Sequence, residues 1–210
     1  MAVRTAKVAA TVSGGRVNRF VRVLILLAPI LSALCLWPAQ AMAQTTGQTT
    51  AAGPQRTERI EAELVPLSAW AAPGSTAVVA VKQTIQPGWH TYWRNPGDSG
   101  GATTLTWSLA QGVRAGDIVW PVPERQRLAG LMNYGYSGVV YLPVPVEVPA
   151  SARAGTVVPL TVKASFFVCS AEMCVPEDLT LRLDLPIREA AAPLDPRHGD
   201  RGSRAQPSRW

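Results

Sequence analysis

Cys169 and Cys174 lie five positions apart in the segment Phe166-Phe167-Val168-Cys169-Ser170-Ala171-Glu172-Met173-Cys174-Val175-Pro176-Glu177. Two thiols at that spacing can close a disulfide, exchange it with a partner, or offer soft ligands to Cu(I). As a staple the pair is poorly placed. A bridge closing so short a loop stabilises by only about 2 kcal/mol in the chain-entropy model, against about 4 for one spanning half a domain. The usual sandwich bridge also joins two sheets rather than closing one hairpin. Thiol-disulfide exchange is therefore the expectation. A non-catalytic binding module with a rigid structural disulfide is its rival, and a copper site adding Met173 and His90 to the two sulfurs is a third reading.

Two further segments carry residues that could serve such a pair. Between Pro87 and Gly101, Trp89, Tyr92 and Trp93 accompany His90 up to a Gly/Pro-rich turn. Core aromatics followed by a loop is the plain reading; a cationic His90 near the sulfurs would instead lower a thiol pKa. The stretch Leu131-Met132-Asn133-Tyr134-Gly135-Tyr136-Ser137-Gly138 reads either as a turn or as a mobile flap whose tyrosines cover the cysteines.

The compartment must permit a disulfide, and the first 43 residues supply the argument. Arg4, Lys7, Arg16, Arg19 and Arg22 precede an apolar run from Val23 to Trp37 and then Ala41-Met42-Ala43, the pattern of a cleavable secretory signal. The run is short of the roughly 20 residues that span a bilayer. Cys35 leaves with the signal, and Leu34 before it disfavours lipid anchoring. A periplasm is the expected location, where disulfides persist.

Net charge is +6, but its distribution excludes a nucleic-acid partner. The basic excess sits at the two ends of the chain, while residues 44–186 hold ten basic and eleven acidic side chains. A nearly neutral body offers no phosphate-binding face. Residues 44–57 read as a flexible leader and 187–210, rich in Ala, Pro, Arg and Ser, as a disordered tail.

The elements that must hold the cysteines recur every dozen or so residues between Pro and Gly: 59–67, 77–85, 89–94, 104–109, 118–122, 139–148, 157–168 and 179–185. That spacing predicts one all-β sandwich domain. Leu179, Leu181, Leu183 and Leu185 alternate with Thr180, Arg182 and Asp184, which puts the leucines on one face. Residues 113–117 and 124–131 have room for a helical turn or two. Pro143 and Pro145, and Pro176 beyond the cysteine loop, mark edge strands.

Taken in order, Gly88-Trp89-His90-Thr91-Tyr92-Trp93-Arg94-Asn95-Pro96-Gly97, Trp120-Pro121-Val122-Pro123, Asn133-Tyr134-Gly135-Tyr136, and Val168-Cys169 with Cys174-Val175-Pro176-Glu177 resemble the periplasmic N-terminal domain of the DsbD thiol:disulfide interchange family. Within it they look most like the ScsB-type branch associated with copper tolerance. The resemblance covers residues 58–186 and implies an immunoglobulin-like β-sandwich that needs no cofactor. It implies a cysteine pair fed by a membrane electron relay and spent on periplasmic thioredoxin-like oxidoreductases. Carried over by position, Cys169 and Cys174 are the redox pair, with attack on partners given to Cys169. Tyr134 and Tyr136 match the cap loop, and His90 and Tyr92 match aromatic positions near the site. The DsbD cap carries acids where Leu131, Met132 and Asn133 stand here, so the proton-handling role of those acids does not transfer. The family's relay and thioredoxin-like domain have no match in these residues; a free-standing module and a shortened chain both stay open.

Overall fold

The computed structural model describes residues 53–128 and 130–203. The signal read over residues 1–43, and most of the leader, lie outside them. In order, the described residues form β1 (Gln55–Arg56), β2 (Ile60–Pro66), β3 (Thr76–Ile85), β4 (Thr91–Gly97), β5 (Thr104–Leu109), β6 (Arg114–Ala115), β7 (Glu124–Leu128), β8 (Leu131–Tyr136), β9 (Val139–Glu147), β10 (Val157–Cys169), β11 (Cys174–Pro186) and α1 (Gly199–Ser203).

Alternation of apolar and polar residues makes the sandwich. One sheet runs β1-β2-β3-β9-β6, a second β11-β10-β5, and a third β4-β8-β7. From the second sheet, Val158, Leu160, Val162, Ala164, Phe166 and Val168 of β10 turn inward with Leu181 and Leu185 of β11. They share one core with Ala77, Val79 and Val81 of β3 and Leu142, Val144 and Val146 of β9. Each of those strands has period 2, so each can bury one face only, and an immunoglobulin-like sandwich of two such faces is the result.

Proline places the edges. β11 ends its sheet, in keeping with Pro176. β9 pairs along its length with β3 on one side and carries only the two-residue β6 on the other. The carbonyls of Pro143 and Pro145 accept from Val119 and Gly116 at 2.7 and 2.8 Å. In an antiparallel strand a residue's N and O point the same way, so both prolines turn their missing donors away from β3 and its ladder loses nothing.

Three local expectations are corrected. The described residues of 113–117 and 124–131 hold no helical turn; they contain β6, β7 and the start of β8. Residues 118–122 are not a strand, because Pro121 and Pro123 lack donors; the segment instead hangs on β9 through the bonds just named. Leu131–Tyr136 is neither turn nor loop, but a strand paired with both β7 and β4.

The chain does not leave the body after β11. Ile187 is 1% exposed. It bridges Ala71 and exchanges backbone bonds with Thr156 and Gly155. Further on, Pro193 O accepts from Ala69 N–H, Asp195 N–H donates to Leu67 O, and Trp70 Nε1–H donates to Ala190 O at 2.8 Å. The chain from Ile187 to Asp195, which shows no strand or helix period in sequence, thus lies docked against the segment that follows β2.

Candidate functional site

The β10–β11 hairpin carries the sulfurs. Its register runs unbroken from Val157↔Pro186 to Cys169↔Cys174. A slip of one residue would turn Phe166 and Val168 out of the core, so burial fixes which residues meet at the tip. Ser170 N–H donates to Met173 O at 2.8 Å and closes the four-residue connection. The Ser170 hydroxyl accepts from the N–H groups of Glu172 and Met173 and donates to the Glu172 carboxylate.

Cys169 exchanges backbone bonds not with Cys174 but with His90, at 2.9 and 3.0 Å. Toward Cys174 it therefore occupies a non-hydrogen-bonded position, where cross-strand side chains stand closest. The Cα atoms are 4.0 Å apart and the sulfurs are joined in a disulfide. The two cysteines differ in exposure: Cys169 is fully buried, whereas Cys174 is exposed.

His90 and Tyr92 flank the bridge from β4 and the residue before it. The Tyr92 hydroxyl lies 3.2 Å from His90 Nε2 and 3.8 Å from Cys174 Sγ. The two rings meet edge to face at 5.1 Å. Burial pulls the His90 pKa below its ordinary value, which disfavours the cationic ring considered from sequence. Burial pushes the Tyr92 hydroxyl up, opposed by a hydrogen bond from the Ser99 side chain.

On β8, Gly135 stands opposite Tyr92 and Tyr136 opposite Thr91, so the two tyrosines face away from the Tyr92 side of the strands. Tyr136 is a core residue whose hydroxyl donates to Pro121 O at 2.9 Å, and burial pushes its pKa up. Tyr134 packs edge-on against Trp93 with ring centroids 6.4 Å apart. The contacts of both tyrosines are thus with the body, through β8 and its neighbours.

Two residues given no role from sequence, Ser99 and Asn133, meet beside the site. Ser99 N–H donates to Asn133 Oδ1 and Asn133 Nδ2–H donates to Ser99 Oγ, each at 2.9 Å. Asp98 strengthens the clamp by accepting from Met132 N–H at 2.8 Å. Gly100 and Gly101 follow, lying against the rings of Tyr92 and Phe167 so closely that a Cβ on either would overlap the ring. For the copper reading, Met173 is exposed and the His90 ring is turned to Tyr92. Among the described residues no three His, Cys, Asp or Glu side chains converge.

Comparison with solved structures finds the N-terminal periplasmic domain of ScsB from Proteus mirabilis at 23% identity and a TM-score of 0.48, covering 70% of this chain and 54% of that one. The chain thus spans about half of that ScsB structure. The Neisseria meningitidis DsbD N-terminal domain in the reduced form matches at 16% identity and a TM-score of 0.26, over 62% of this chain and 90% of that one. A GAE domain of GGA2p from Saccharomyces cerevisiae matches at 13% identity and a TM-score of 0.31, over 65% and 97%. Comparison with curated proteins finds no match. The family model of the N-terminal domain of thiol:disulfide interchange protein DsbD matches residues 61–186, well over half of the chain, and it is to this family that the protein belongs.

Proposed function

We propose that the protein is a thiol-disulfide exchange module of the periplasm, whose Cys169–Cys174 pair carries two electrons between a membrane relay and thioredoxin-like oxidoreductases. The observation that carries this reading is the disulfide at the tip of an edge hairpin, with one cysteine exposed and hydrogen-bonding groups gathered behind it.

Burial favours the reverse of the roles that the family resemblance implies for the two cysteines. Cys174 is the cysteine a partner can reach, so we give it the exchange role and Cys169 the resolving one. In the reduced protein the Cys174 thiolate attacks a partner disulfide. A bond forms between Cys174 Sγ and one partner sulfur, the partner's own S–S bond breaks, and its second sulfur leaves with the electron pair. Cys169, as a thiolate, then attacks Cys174 Sγ, closes the intramolecular disulfide and releases the remaining partner sulfur as thiolate. The reverse sequence reloads the pair, and relative reduction potentials set the direction.

Trapping tests this. A Cys169→Ala variant produced in the periplasm is expected to accumulate mixed disulfides through Cys174 that disappear on reduction, whereas Cys174→Ala accumulates far fewer. Trapping by Cys174→Ala alone would restore the original assignment. No adduct with either variant under mild oxidation, together with a potential below about −300 mV, would leave a structural disulfide.

A further inference from the structure

We propose that a directed chain of hydrogen-bond donors, running from Asn133 through Ser99 to Tyr92, ends on Cys174 Sγ and stabilises that sulfur as a thiolate once the disulfide is open. Tyr92 is then a catalytic residue, and Ser99 and Asn133 are positioning residues. The inference rests on the exchange role given above to Cys174.

Direction follows from the bonds. Asn133 Oδ1 accepts from Ser99 N–H, so its Nδ2 is the atom facing Ser99 Oγ, and the amide can point only one way. Ser99 Oγ accepts from that nitrogen and has its own hydrogen left to give. The oxygen we assign to it is Tyr92 Oη: Gly100, the next residue, lies against Tyr92 Cζ, the carbon that bears that hydroxyl, and the Ser99 side chain opposes the rise of the Tyr92 pKa. With that acceptance made, the Tyr92 hydrogen has two acceptors in reach: His90 Nε2 at 3.2 Å and Cys174 Sγ at 3.8 Å.

The redox state chooses between them. Against a disulfide sulfur, a weak acceptor, the imidazole nitrogen takes the hydrogen. Against a thiolate the choice inverts, because a hydrogen bond to a charged acceptor is roughly twice as strong as a neutral one. His90, neutral in its burial, then answers in the tautomer that carries hydrogen on Nε2 and donates to Tyr92 Oη. The thiol proton goes to water and Tyr92 keeps its own.

The charged groups on the surrounding elements are committed elsewhere. Glu172 is held by Ser170, Glu177 by Arg59 at 3.0 Å, Asp98 by Met132 N–H, and Asp178 by Lys163 at 2.8 Å. Arg94 stacks on Trp93. The donor chain thus supplies from neutral groups what acids or cations supply at other redox sites.

The test uses the full chain carrying Cys35→Ala and Cys169→Ala, so that Cys174 titrates alone, and follows thiolate absorbance against pH. Adding Tyr92→Phe, which removes one oxygen and keeps the ring, is expected to raise the Cys174 pKa by about one unit, a tenfold loss of thiolate near neutrality. Ser99→Ala should raise it less, with Ser99→Thr restoring the parent value. An unmoved pKa in a Tyr92→Phe protein with parental circular dichroism overturns the proposal. Should that variant fail to fold, a Ser99→Ala titration identical to the parent's overturns it instead. Partner trapping in the same background separates the two readings. A shifted pKa with no trapped partner leaves the donor chain standing without the exchange role, and the converse removes the donor chain alone.

Discussion

Tyr92 is held by what lies above it as much as by its hydrogen bonds. Gly100 has φ of +81°, and a Cβ there would lie 2.1 Å from Tyr92 Cζ, the carbon that bears the hydroxyl. Tyr92 is fully buried and has nowhere to retreat. Gly100→Ala therefore combines left-handed backbone strain with overlap, and a loss of about 2–4 kcal/mol is expected in denaturant unfolding. Gly138 is the control: φ is +64° with nothing within 4 Å of a Cβ, so Gly138→Ala meets strain alone and should cost only about 1 kcal/mol. His90 gives a pH signature at the same scale. Its folded pKa lies below the ordinary 6.5, so the unfolded chain binds the proton more readily. Stability contributed by the neutral ring is full above about pH 6.5 and is lost as pH falls through the folded pKa. Urea midpoints at pH 7.5 and 5.5 should differ more in the parent than in His90→Gln. Equal differences would mean that the buried ring does not resist protonation.

Strands that bury one face announce themselves, and strands that owe their existence to a neighbour do not. β5 is read correctly over residues 104–109, and the leucine alternation of β11 places Leu181 and Leu185 in the core. β7 offers Glu124, Arg125, Gln126 and Arg127, with no apolar period to read; it is a strand because each residue finds a rung on β8. The site divides in the same way. Cys169 and Cys174 are legible from residue type and spacing, and His90 and Tyr92 lie in a conspicuous aromatic run. Ser99 and Asn133 are 34 positions apart and meet only because β4 and β8 are paired, which no local pattern records. Nor does spacing distinguish the two cysteines, since both stand at one hairpin tip. The face each turns to the core decides which a partner can reach.

For the molecule as a whole, the boundary between body and tail carries energy. The family match ends at residue 186, but the backbone of Ile187 is bonded to Thr156 and Gly155, and Arg188 N–H donates to Ala71 O at 2.9 Å. These contacts tie the C-terminal chain to the turn before β10 and to the segment after β2. We accordingly place the structural end of the domain beyond residue 186. A chain ending at Arg188 keeps those contacts and gives up the bonds to Leu67, Ala69 and Trp70. Each bond contributes about 0.5–1.5 kcal/mol, and the regained freedom of a mostly exposed segment offsets much of the total. A drop of about 1–2 kcal/mol is expected. A chain ending at Pro186 also loses the Ile187 side chain, 1% exposed, and should fall by a further 2–4 kcal/mol or so, as for a deleted core residue. Denaturant midpoints of the two truncations measure the step between them. The docked segment is bonded to residues after β2 and before β10, at the opposite end of the β10–β11 hairpin from the sulfurs, so the Cys174 thiolate pKa should match the parent's in both. If stability is unchanged down to Pro186, the docked segment contributes nothing and the body ends where the family match does.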